Sequence, residues 1–111
     1  MYSTATARMN NTLVANGPDF RRGWVNRTPS GNLDLAPTIL WILGIRPSVS
    51  MDGRILKEAL AGASGTEPKV ETKTLEASRD VGPFHWKQYL KTSRVGEVVY
   101  FDEGNGESSL R

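Results

Sequence analysis

The apolar positions of this chain fall into a short run, a helical face and an alternating tail. Thr12 to Ala15 is an apolar run closed by Asn16, Gly17 and Pro18, which reads as a buried strand stopped by a turn. Nothing before it carries an ordering pattern. Asp19 to Gly31 scatters Trp24 and Val25 among Arg21, Arg22, Gly23, Pro29 and Gly31, and predicts a long surface loop with one short extended element. A helix follows. Asn32 or Asp34 can cap its free amides, Pro37 sits in the first turn where a missing donor costs little, and Leu35, Ile39, Leu40, Ile42 and Leu43 form a broad apolar face. Gly44 ends this helix and Pro47 prevents its continuation. So apolar a helix, with Trp41 read as part of the core, requires cover from other layers. Asp52-Gly53 is a turn signal, and Ile55 to Leu60 is long enough for one or two helical turns.

Ala61 to Pro68 is rich in Gly, Ala, Ser and Thr, as a linker is. Beyond it the period shortens. Val70 to Arg79 alternates poorly but carries strand-favouring Val and Thr, while His85 to Val95 and Glu97 to Asp102 flank a turn at Gly96 and predict a hairpin. Tyr89, Val95, Val98, Tyr100 and Phe101 supply its cross-strand pairs. No internal repeat is present.

Composition narrows the function classes. With 111 residues, 38% of them apolar and 23% charged, the chain has the make-up of one globular domain. The formal charge of +2 is dispersed among acidic residues, so no footprint for nucleic acid emerges. Without cysteine there is no disulfide, thiolate metal site or cysteine nucleophile. The longest apolar run, Ile39 to Leu43, is far too short for a membrane span, and Met1 to Asn11 is polar and lacks the apolar stretch of an export signal. The compartment stays open.

Candidate chemistry is sparse. His85, the one histidine, reads as a strand-end or loop residue beside Trp86 and cannot assemble a metal pair or a triad. The acidic pairs Asp102 with Glu103 and Glu67 with Glu71 read as solvated charges at a strand end and in a linker. Gly104-Asn105-Gly106 lacks the lysine and following helix of a phosphate cradle and reads as a turn or fraying tail. Arg21 and Arg22 with Trp24 could hold a phosphate or stack a base, against the ordinary reading of a solvated loop with Trp24 packed inward. No catalytic, cofactor-binding or metal-ligating residue is assigned.

The order of these signals carries a resemblance. Asn11 to Gly23, then Ser30-Gly31-Asn32-Leu33-Asp34-Leu35-Ala36-Pro37-Thr38-Ile39-Leu40, Leu43-Gly44-Ile45 and Met51-Asp52-Gly53-Arg54, resemble the last core strand, loop and late helix of the alkaline phosphatase superfamily. The similarity is greatest to its branch of type I phosphodiesterases, nucleotide pyrophosphatases and sulfatases. Trp86 to Leu90 and Val99 to Gly106 resemble the small antiparallel tail of bacterial members.

The resemblance implies an α/β fragment: the C-terminal strand and helix of an alkaline-phosphatase-like layered α/β fold, followed by a small antiparallel β tail. Residues 1–60 would end the hydrolase core, 61–69 would be a linker, 70–104 the tail sheet and 105–111 a flexible end. It further implies a phosphate or sulfate ester hydrolase with a divalent metal (zinc, calcium or manganese), whose nucleophile and ligands precede this stretch. The family's last ligand, a histidine in a Gly-His-Gly type segment, would fall near Met1, where Met1-Tyr2-Ser3 offers no imidazole. The expected partner is the N-terminal catalytic part. The chain alone is expected to be inactive, and a non-catalytic binding module or an accessory subunit of a split hydrolase is the alternative.

Overall fold

A computed structural model describes residues 11–63 and 67–111. The proposed histidine position near Met1, and part of the 61–69 linker, lie outside the described residues. Two compact units divide the chain, one built on residues 13–70 with the tight turn 95–98, the other on residues 71–94 and 99–111.

The first unit is mostly irregular backbone around one helix. A 3-10 turn at Asn32–Asp34 leads directly into helix α1, Leu35–Ile42. The amides of Gly44 and Ile45 bond to the carbonyls of Trp41 (3.1 Å) and Leu40 (2.9 Å), and Gly44 takes the left-handed φ of 70°. This is a Schellman ending, and it satisfies carbonyls the helix would otherwise leave open. Ile55 to Leu60 yields only a single 3-10 turn, Lys57–Ala59. The ends of the unit are tied by the isolated bridge Phe20–Leu60 and by amides of Arg21 and Ala61 bonded to carbonyls of Ala59 (3.0 Å) and Asp19 (2.8 Å).

The second unit is an antiparallel meander of β1 (Val70–Val81), β2 (Phe84–Val95) and β3 (Val98–Leu110), in the order β1-β2-β3. Two-residue turns join the strands at Gly82-Pro83 and Gly96-Glu97. Each places glycine first, with φ of 56° and 61°, as the strand twist demands of a type II′ turn. The β1–β2 register is uninterrupted, since His85 meets Asp80, Thr92 meets Lys73 and Arg94 meets Glu71. On β3 the alternation slips. Tyr89, Lys91 and Ser93 share one face of β2, yet they engage the consecutive residues Glu103 and Asp102. An extra residue in β3 at that point, as in a β-bulge, accommodates both carboxylates.

This architecture corrects the layered α/β expectation. Thr12 to Ala15 is exposed irregular backbone rather than a buried strand, and the only sheet among the described residues is the antiparallel meander. Among the described residues this apolar run of four has no neighbouring strand to pair with, and an unpaired strand in water gains nothing for its ordering entropy. Trp41, expected in the core, is 52% exposed. Gly104-Asn105-Gly106, expected as a turn or a fraying tail, and residues 105–111, expected as a flexible end, instead continue β3 to Leu110 beside β2.

Candidate functional site

The most organised chemistry lies beneath α1 in a network of buried polar groups. Asp34 is fully buried. Its carboxylate does not cap the helix amides, as the sequence suggested; it turns back to accept the Gly31 amide at 2.9 Å and sideways to accept the Arg54 amide at 2.8 Å. Asp34 is the last residue of the 3-10 turn ahead of α1, and its carboxylate closes the bond to the Gly31 amide that begins that turn. Its backbone carbonyl accepts the Thr38 hydroxyl at 2.7 Å, and that hydroxyl accepts the Leu56 amide at 3.0 Å. Residues on both sides of the loop 43–53 are thereby held to the first turns of the helix.

Arg54 extends the network. Its guanidinium donates to both oxygens of Glu58 at 3.0 and 2.8 Å and to the Pro29 carbonyl at 2.7 Å. Asn26 donates to Glu58 at 3.1 Å and accepts the Thr28 amide at 3.1 Å. Burial opposes ionisation of Glu58, but hydrogen bonds from Arg54, its own backbone and Asn26, with the charge of Arg54, together hold its carboxyl below the usual range. A carboxylate so occupied is neither a general base nor an open metal ligand. Its role is to hold Arg54, Pro29 and the loop 26–31 in one arrangement.

Large apolar side chains stay exposed on α1 and in the residues just after it. Ile39, Trp41, Leu43 and Ile45 are all more than half exposed. Lys57 lies 4.5 Å over the Trp41 ring, and Arg21 stacks 3.7 Å over Trp24. Arg21 also donates to the Glu58 carbonyl at 3.3 Å. The guanidinium considered for phosphate or base recognition is thus turned onto its own chain, while Trp24 remains 39% exposed instead of packing inward.

On the sheet, an open cleft of about 570 Å³ is bordered by Glu76, Ser78, Lys87, Tyr89, Asn105 and Glu107. The Tyr89 hydroxyl donates to Glu103 at 2.5 Å, which raises the tyrosine pKa and, with the nearby Lys91, lowers that of the carboxyl. His85 lies within β2 and pairs through Nδ1 with Asp80 at 2.5 Å. Asp102 accepts the Ser93 hydroxyl, and Glu71 pairs with Arg94 at 3.3 Å. No group of three or more His, Cys, Asp or Glu side chains that could hold a metal ion converges among the described residues. Glu58 was missed in the sequence; the four-residue spacing from Arg54 was the available signal. No family model matches the chain, and no curated protein or solved structure matches it.

Proposed function

We propose that the chain is a non-catalytic docking element of a metal-dependent phosphoric or sulfuric ester hydrolase, seated on a polypeptide that carries the nucleophile and the metal ligands. The observation that supports this reading is the set of apolar side chains Ile39, Trp41, Leu43 and Ile45 left exposed on a segment that a buried ionic network holds fixed. Interfaces draw their energy from aromatic and aliphatic anchors that need little reordering on binding, and Trp41, beneath Lys57 on a helix whose first turns are bonded to Arg54 and Leu56, supplies such an anchor. The ester-hydrolase assignment rests on the resemblance of Ser30 to Leu40 and Met51 to Arg54 to the alkaline phosphatase superfamily. Those stretches carry the network residues Asp34, Thr38 and Arg54.

The test has two arms. The chain incubated with zinc, calcium or manganese should release no para-nitrophenol above buffer from the phosphate, phosphodiester or sulfate esters. The DNA upstream of Met1 should encode a polypeptide with a Gly-His-Gly type segment and an N-terminal Asp near a Thr, Ser or Cys nucleophile. Co-expressed, that polypeptide should copurify with this chain, and Trp41→Asp should reduce recovery about tenfold, as loss of a buried aromatic anchor does. Ester cleavage with stoichiometric metal held by this chain alone contradicts the proposal.

A further inference from the structure

Asparagine followed by glycine is the pair in which a main-chain amide most readily attacks the preceding side chain, because glycine has no β-carbon to shield its nitrogen. The sequence holds two such pairs, Asn16-Gly17 in irregular backbone and Asn105-Gly106 within β3. In the second pair the reacting groups already lie together. The Gly106 amide donates to Asn105 Oδ1 at 2.8 Å, so Cγ, the carbon that bears this oxygen, sits beside the Gly106 nitrogen. Asn105 is exposed, which admits the hydroxide and water that the chemistry consumes.

Glycine at position 106 is imposed by packing. A β-carbon there would collide with Cζ2 of Trp86 and stand 3.0 Å from its Cη2. The indole is itself anchored, since its N–H donates to Gln88 at 3.1 Å. Trp86 therefore confines the backbone of the pair and demands the one residue that leaves the nitrogen open to react.

We infer that Asn105 is a site of spontaneous deamidation and isoaspartate formation, and that the folded strand promotes the reaction. Hydroxide takes the Gly106 amide proton, and the nitrogen adds to Asn105 Cγ. A new N–C bond closes a five-membered succinimide while the bond from Cγ to the carboxamide nitrogen breaks. Ammonia leaves with a proton from water, which restores the hydroxide, and nothing is oxidised or reduced. Water then opens the ring. Addition at Cγ gives aspartate at position 105, and addition at the main-chain carbonyl gives isoaspartate. Holding the two atoms in contact removes much of the conformational search that limits this closure in a free chain. Isoaspartate also lengthens the main chain by one carbon, so the rest of β3 loses its register with β2.

The whole chain is incubated at mildly alkaline pH beside a synthetic peptide of residues 101–109 in the same buffer. Isoaspartate is followed by isoaspartyl methyltransferase labelling and peptide mass spectrometry. At position 105 it should appear at least about threefold faster in the chain than in the peptide. Asn105→Gln, which would need a six-membered ring, should keep the circular dichroism of the wild type and lose the product at this position. In the aged chain, amide exchange from Phe84 to Gln88 should accelerate at least about tenfold, as local opening of the β2–β3 pairing requires. A rate in the chain equal to or below that of the peptide overturns the inference, because the strand then protects the pair. Aspartate at position 105 without isoaspartate also overturns it, and unchanged exchange in the aged chain refutes the loss of register.

Discussion

Gly53 shows most directly how single residues fix the first unit. A β-carbon there would stand 2.5 Å from the Leu33 carbonyl carbon and 2.9 Å from the Asp34 amide nitrogen, and both atoms are backbone. Neither can move without displacing the start of α1, so Gly53→Ala should destabilise the chain by about 2 kcal/mol, as overpacking does. Urea titration followed by tryptophan fluorescence measures it; an unchanged midpoint refutes the close approach. Glu58 makes a complementary prediction. Its carboxyl is held below the usual range in the folded chain, so it contributes stability that is full above the ordinary glutamate pKa and is lost as pH falls through the lowered value. Stability measured from about pH 6 down to about pH 2 should fall less steeply in Glu58→Gln than in the wild type. Parallel curves would mean that another carboxylate dominates acid unfolding.

At the scale of elements, one hydroxyl joins the helix to the segment that follows it. Thr38 donates to the Asp34 carbonyl and accepts the Leu56 amide, and both Thr38 and Leu56 are buried. Thr38→Val keeps the shape but leaves the Leu56 amide without its acceptor, which should cost about 2 kcal/mol. Hydrogen exchange at Leu56 should accelerate more than exchange within β2, where no partner changes. The elements that local rules govern were legible in the sequence: the helix from Leu35, its Gly44 ending, and the strands meeting at Gly96. The missing strand at Thr12 to Ala15 was misread because a short apolar run signals burial only if something is there to bury it. The link from Asp34 to Arg54 was illegible because the two lie 20 residues apart across an irregular loop, where no period joins them; only the four-residue spacing of Arg54 and Glu58 offered a signal. The β3 slip escaped for a related reason, since the partners of Asp102 and Glu103 are set by pairing with β2, not by the composition of β3.

Across the whole chain the described residues bury little hydrocarbon. Pro37, Leu56, Val95 and Tyr100 are the buried apolar side chains, whereas Asp34, Thr38, Glu58 and Ser93 are buried and polar. Heat capacity of unfolding rises with apolar exposure and falls with polar exposure, so such an interior should give a small value. Calorimetry should return well under the ~1.2–1.5 kcal/mol/K typical of a hundred residues. The exposed side chains of α1 should meanwhile bind a hydrophobic dye in the native state. Both quantities should change together if the apolar surface has a partner. On docking with a catalytic polypeptide, dye binding should fall and the heat capacity of unfolding of the complex should exceed the sum for the separate chains, because newly covered hydrocarbon must be exposed again on melting.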